Sequence, residues 1–284
     1  MIGYAKLLAE LKNRAAGEPE LTETLSLYID LFSAQARADV SPCETASLAR
    51  EAPARLAQGL PILAPEAFRP DPAALLHLGD EICTITARHR PDLAAKLDAI
   101  RTWLGDESTS ILHVPAAYLR DEGFRRGEEA GPDNPLLAFV LNNALHPFLR
   151  EYAKALFPFI DANGWYRPRC PVCGGEPDFA ALEKETGARR LLCSRCDAEW
   201  PFWRVGCPFC GCEDAEKQKY SVTDDQVYRL CWCAQCTRYL KTIDLRQVAD
   251  ERVLPVERIL TLAMDLAAQQ AGYGRLDRAA RCET

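Results

Sequence analysis

Over the first 160 positions apolar residues return every three to four places. Leu21, Leu25, Tyr28, Ile29 and Phe32 make one such stripe, the period of a helix with one face on a core. Helix starts are marked in the same region. Ser41-Pro42-Cys43-Glu44 offers a capping serine, a proline at the first helical position and a glutamate at the third; Asp71-Pro72 and Asn134-Pro135 repeat the cap and the proline. At least four helices are predicted. The apolar stretch 136–160 contains Pro147 and Pro158, which predict a kink near Asn143 and a stop near Phe157. Asp161-Ala162-Asn163-Gly164 then reads as a turn and a domain boundary.

Beyond Gly164 the apolar pieces shorten to strand length. Residues 190–193, 220–223, 227–231 and 239–244 are predicted strands joined as hairpins, with Asp224-Asp225 in the turn of one of them. A last helix over 256–270 would place Ile259, Leu260, Ala263, Met264 and Ala267 on one face and end before Gly272. The fold class is therefore α+β: an all-helical N-terminal domain, two tandem hairpin modules and a C-terminal helix. The expected boundaries are 1–164 for the helical domain, 165–205 for the first module and 206–284 for the second module with its helix.

Composition narrows the class. The 284 residues exceed what one compact core usually holds, and 48% hydrophobic with 26% charged residues excludes a mainly disordered chain. The net charge of −7 is unevenly placed. From Trp165 onward there are 18 basic and 18 acidic residues, so the whole excess lies upstream. Neither half offers the basic surface that phosphate backbones or anionic lipids select. The first fifteen residues lack the uncharged apolar core of a secretory signal, and no run approaches about 18 apolar residues. The expectation is a cytoplasmic protein with no membrane insertion; a homodimer is compatible with the sequence.

The chemistry lies in the cysteines. Eleven of thirteen follow residue 169, whereas His77, His89, His113 and His146 all precede it. Reduced cytosolic thiols in such number read as metal ligands before they read as disulfides. Four CxxC pairs can be written: Cys170 with Cys173, Cys193 with Cys196, Cys207 with Cys210, and Cys233 with Cys236, separated by 19, 10 and 22 residues. A CxxC turn aims two sulfurs at one point, and a hairpin brings up a second turn to complete a tetrahedral site. Sequential pairing gives one site from residues 170–196 and another from 207–236; interleaved pairing would need non-local closure where local closure satisfies every ligand. Each site is all-sulfur and so suits zinc or rubredoxin-like iron, and the sequence does not separate the two metals.

The turns differ in chemistry. Gly174 and Gly211 follow the first and third pairs and accept positive φ, Asp197 tolerates it, and β-branched Thr237 does so poorly, which predicts a less regular fourth turn. Cys231 competes with Cys233 as a ligand, but CxC cannot close the same turn, so Cys231 is left as a spare thiol. Cys43, Cys83, Cys212 and Cys282 read as ordinary thiols. The aromatic residues around the cysteines are expected mostly to pack the hairpins. A site closed by four thiolates has no open coordination position and is more often a staple than a catalyst. No GxSxG, GxxxxGK or HExxH motif is present, the histidines read as surface or packing residues, and no catalytic residue is assigned.

The run from Cys193-Ser-Arg-Cys196 through Glu199-Trp200-Pro-Phe-Trp-Arg204 to Cys207-Pro-Phe-Cys210-Gly211 resembles the centre of the formate dehydrogenase accessory protein family, the FdhE type. Cys170-Pro-Val-Cys173-Gly174, Cys233-Ala-Gln-Cys236 with Tyr239-Leu240-Lys241, and Ala271-Gly272-Tyr273 resemble further motifs of that family. The resemblance covers about 165–275 well and implies two rubredoxin-like or zinc-ribbon modules behind a helical domain. It also implies a non-catalytic cytoplasmic maturation factor, a chaperone in the broad sense, that binds the catalytic subunit of a respiratory formate dehydrogenase and is required for its activity. Iron is associated with such sites in the family. Two other readings use the same staples: a rubredoxin-like electron carrier, and a zinc-ribbon nucleic-acid-binding protein, which the balanced charge of the C-terminal half opposes.

Overall fold

The computed structural model describes residues 1–40, 45–106, 111–120, 134–161 and 164–274. The expected cap at Ser41, the Ala162-Asn163 turn positions, Cys43 and Cys282 lie outside the described residues. The chain forms two compact units. One comprises Met1–Ile160 together with Val172–Gly174, the other Asp161–Pro171 with the residues from Gly175 on.

The first unit is helical: α1 Tyr4–Gly17, α2 Thr22–Arg37, α3 Thr45–Ala57, α4 Pro72–His89, α5 Ala94–Gly105, α6 Val114–Leu119 and α7 Asn134–Leu156. Leu25 and Phe32 of the predicted stripe are buried on α2, and Leu75, Leu78, Ile82 and Ile85 line the buried face of α4. Asp71 caps α4, its carboxylate accepting from the Ala74 amide at 2.8 Å. Helix α7 continues past Pro147, and a 3-10 turn at Phe157–Phe159 follows it. Pro147 cannot donate to the Asn143 carbonyl; Gln35 Nε2 donates to that oxygen instead, at 2.9 Å. The same buried glutamine meets His146 Nδ1 at 3.3 Å, and His146 stacks on Phe32, so this histidine is a packing residue. His89 contacts Asp30 at 2.8 Å, while His77 and His113 are exposed. Among the described residues no helix is long and apolar enough to cross a membrane.

The second unit is built on one six-stranded sheet: β1 Pro177–Leu182, β2 Arg189–Cys193, β3 Glu199–Phe202, β4 Gln218–Val222, β5 Tyr228–Cys233 and β6 Tyr239–Asp244, in the order β3-β2-β1-β6-β5-β4. Each half is an antiparallel three-stranded ribbon; the predicted strands correspond to β2, β4, β5 and β6, and β1 and β3 are additional. The ribbons join where β1 and β6 pair in parallel, Phe179 opposite Lys241 and Leu182 opposite Asp244. The turn between β4 and β5 uses the expected aspartates and closes with Gln226 in the left-handed region at φ 61°.

The C-terminal helix is split. It runs as α8 Leu254–Leu260 and α9 Leu262–Gln270, broken at Thr261, where φ is −100° and ψ 20°. Leu254 packs on Phe179, Ala181, Leu192 and Ile243 of one sheet face. Polar contacts fix this seating. Lys241 Nζ donates to Arg258 O at 2.9 Å and to Asp265 Oδ2 at 2.5 Å, and Tyr239 hydroxyl donates to Asp265 Oδ1 at 2.9 Å. Tyr228 hydroxyl donates to fully buried Glu257.

Candidate metal centres

Four short turns carry the eight cysteines, and they share one backbone plan. In each, the amide of the first cysteine donates to a carbonyl five residues on: Cys170 to Gly175 O at 3.0 Å, Cys193 to Ala198 O at 2.9 Å, Cys207 to Cys212 O at 2.9 Å and Cys233 to Arg238 O at 3.0 Å. In each, the residue after the second cysteine is left-handed, with φ of 71° at Gly174, 56° at Asp197, 73° at Gly211 and 56° at Thr237. The fourth turn is therefore as regular as the others. Thr237 bears the strain of a β-branched residue in that region and keeps the turn closed, its amide donating to Cys233 O at 2.8 Å.

The turns meet in sequential pairs. Cys170, Cys173, Cys193 and Cys196 form one group, and Cys207, Cys210, Cys233 and Cys236 the other; within each, all four sulfurs lie within 4.8 Å of one another. Among the described residues no cysteine is in a disulfide. The spacing can be tested against the demands of an ion. Four bonds of about 2.3 Å arranged tetrahedrally hold their sulfurs about 3.8 Å apart. Cys170 and Cys196 are 3.6 Å apart, Cys207 and Cys236 3.6 Å, and Cys210 and Cys233 3.7 Å. Both groups fit a tetrahedral metal in size and donor type, and both suit zinc or iron. Amides already point at the sulfurs, Arg195 N to Cys193 Sγ and Phe209 N to Cys207 Sγ, each at 3.4 Å.

The groups differ in their surroundings. All four sulfur-bearing residues of the first are buried, and it is packed so closely that a Cβ on Gly175 would stand 2.9 Å from Cys193 Sγ. In the second, Cys210 is exposed. Burial opposes ionisation of the Cys233 thiol there, but amide hydrogen bonds from Cys236 and Gln235, with help from the Cys210 and Gln218 side chains, outweigh it and bring the pKa down to about 7. Burial pushes the Cys207 thiol up.

The remaining thiols stay outside both groups. Cys231 receives a hydrogen bond from Thr242 Oγ1 at 3.8 Å, and Cys212 contributes its carbonyl to the third turn. Cys83 is buried in the helical unit, where burial raises its pKa to about 11. Trp165, Phe179 and Trp200 are buried as expected, but Trp203 and Tyr166 are exposed and pack on each other as a tilted pair with ring centroids 4.6 Å apart.

Three comparisons bear on these centres. Residues 169–204, which span the first group and β1–β3, match the family model described as FdhE, central domain. A protein named FdhE homolog from Aquifex aeolicus is 30% identical over 177 residues, covering 61% of this chain and 58% of that protein. Another from Edwardsiella ictaluri is 28% identical over 278 residues, covering 96% of this chain and 85% of its own length. The crystal structure of the FdhE protein from Pseudomonas aeruginosa superposes with a TM-score of 0.63 over 95% of this chain and 92% of that one. In sequence and in fold the chain is similar to proteins of the FdhE family. At 22% identity the crystal structure shows the shared fold, helices followed by a cysteine-bearing sheet region. The matches span less than two-thirds of the first curated FdhE relatives, 58% of the Aquifex aeolicus protein and 55% of that from Haemophilus ducreyi.

Two residues beside the cysteine turns carry no sequence signal. Arg258 of α8 donates to Asp197 Oδ1 at 2.9 Å, to Asp178 Oδ1 at 3.3 Å and to Cys193 O at 3.3 Å, tying the helix to the second turn. Arg189 of β2 donates to Gly206 O at 2.6 Å, one residue from Cys207. Both lie in unremarkable basic positions and become visible only when the sheet is assembled.

Proposed function

We propose that this chain is a non-catalytic, cytoplasmic accessory factor for formate dehydrogenase. In this reading it binds the catalytic subunit of a respiratory formate dehydrogenase before that enzyme is complete and is required for the enzyme to become active. The eight cysteines Cys170, Cys173, Cys193, Cys196, Cys207, Cys210, Cys233 and Cys236 hold two metal ions, zinc or iron, and the ions stiffen the turns that present a docking face. The observation that carries the proposal is the pair of metal-sized four-sulfur groups built into one sheet of a chain similar to the FdhE family. Four thiolates fill a tetrahedral ion's coordination sphere, which fits a staple better than a reaction centre.

The metal would supply folding free energy to ribbons too small to fold by apolar burial alone. The chain's own groups do the rest: amides of Arg195 and Phe209 point at ligand sulfurs, and Gly174, Asp197, Gly211 and Thr237 hold the turns open to them. Exposed Trp203 and Tyr166 offer an aromatic contact of the kind that anchors protein interfaces. Neither the electron-carrier nor the nucleic-acid reading is favoured by the relatives.

Co-purification tests the proposal. Tagged wild-type chain is expected to retain the immature catalytic subunit of formate dehydrogenase, and the Cys170→Ser, Cys173→Ser double variant to lose it. Equal recovery by both would remove the cysteine modules from recognition. Active enzyme in cells that lack the chain would remove the requirement.

A further inference from the structure

We propose that Arg189 is the buried counter-charge of the second four-cysteine group, delivered to it by the first ribbon. This rests on the metal-binding reading above. Arg189 opens β2, and the alternation of the sheet places it with Leu191, Leu240 and Cys231 on the face opposite α8. It is only 8% exposed.

A buried guanidinium needs an anion or a full set of acceptors. Among the described residues no carboxylate pairs with Arg189. Its Nη2 donates to Gly206 O, and its Nε has no hydrogen-bond partner. Phe202 covers the guanidinium on one side, 5.1 Å from ring centroid to the central carbon. Arg189 lines a cavity of about 20 Å³ together with Cys207, Cys231 and Cys233. That volume admits about one water and excludes any organic anion. The nearest anions the protein itself can offer there are the thiolates of the second group.

Two other largely buried arginines are treated differently, Arg258 beside the second turn and Arg238 in the fourth, which lines the same cavity as Arg189. Arg258 is matched by Asp178 and Asp197, and Arg238 by Glu176. Four thiolates around a divalent ion leave two net negative charges, and a fixed guanidinium beside them is a strong partner at low local dielectric. Arg189 thus closes a charge balance that Asp or Glu closes elsewhere, and it makes a residue of the first ribbon part of the second centre.

The test is chelator competition on the zinc-loaded full chain, with far-UV circular dichroism as the folding control. Wild type is expected to release two zinc ions per chain; a wild type that binds none refutes the metal reading itself. In Arg189→Gln one release step should weaken about tenfold to a hundredfold, as loss of outer-sphere partners does elsewhere. The other step should not move, and the weakened step should be the one missing from a Cys207→Ser, Cys233→Ser variant. Arg189→Lys, which keeps the charge, should stay close to wild type. Weakening of neither step, of both equally, or an Arg189→Lys as weak as Arg189→Gln overturns the proposal. Should Arg189→Gln fail to fold, Arg189→Lys decides alone, a tight second step supporting the counter-charge and a weak one refuting it.

Discussion

The two four-cysteine groups share turn geometry down to the left-handed residue, yet one is enclosed and the other reaches the surface at Cys210. Equivalent local chemistry has been put to unequal structural use. The first group is buried, with Gly175 packed against Cys193, and is clamped through Arg258 by a helix. The second meets the C-terminal segment through lighter contacts, Tyr273 against the Trp232 ring at 5.2 Å and Gly274 N donating to Thr237 O at 3.1 Å. Burial and clamping, rather than the ligand set, should therefore decide which centre is structural and which can exchange.

The largest effect expected from this contrast is on folding. Structural zinc contributes about 10–16 kcal/mol in small metal-folded domains, so the Cys193→Ser, Cys196→Ser variant should lose the sheet's circular dichroism signal and its protease resistance. Cys210→Ser should lose one metal and a smaller part of both signals. A chelator should likewise strip the second centre first, and equal behaviour of the two centres would erase the distinction.

Next comes the clamp. Breaking a buried ion pair typically costs about 3–5 kcal/mol, and Arg258→Met should lower the denaturation midpoint accordingly. The corresponding change beside the second centre, Tyr273→Ala, should cost about 1 kcal/mol, the scale of one aromatic contact.

Between these lies an acid effect at the seam of the ribbons. Hydrogen bonds from Arg246, and against the opposing burial also from Arg229, hold the Asp244 carboxyl down to about 2. Its folded-state pKa is depressed, so its contribution is complete above the ordinary carboxylate pKa near 4 and fades as pH falls toward 2. The loss should amount to about 2 kcal/mol, absent from Asp244→Asn, and measurable by denaturant titration at stepped pH.

Much of the site was legible because its spacing encodes geometry. A CxxC turn has few ways to close, so all eight cysteines and their sequential grouping could be read directly. Thr237 misled because side-chain preference speaks against positive φ, whereas the turn's hydrogen bonds impose it. Strands β1 and β3 escaped notice: one begins at Pro177 and carries Ala180-Ala181, the other carries Pro201, and neither advertises β structure. The break at Thr261 has no glycine or proline to announce it. Parallel pairing of β1 with β6 joins residues too far apart for any local pattern to register, and Arg189 gains its meaning only from that assembly.

The same pairing governs the order in which the molecule can be made. Phe179 waits for Lys241, a partner synthesised 62 residues later, so the central seam cannot zip until the last strand has left the ribosome. Each ribbon can gather its own four sulfurs beforehand, because those contacts are local. During synthesis, local closure of each ribbon is therefore available before the join between them, and the α8 clamp only after it.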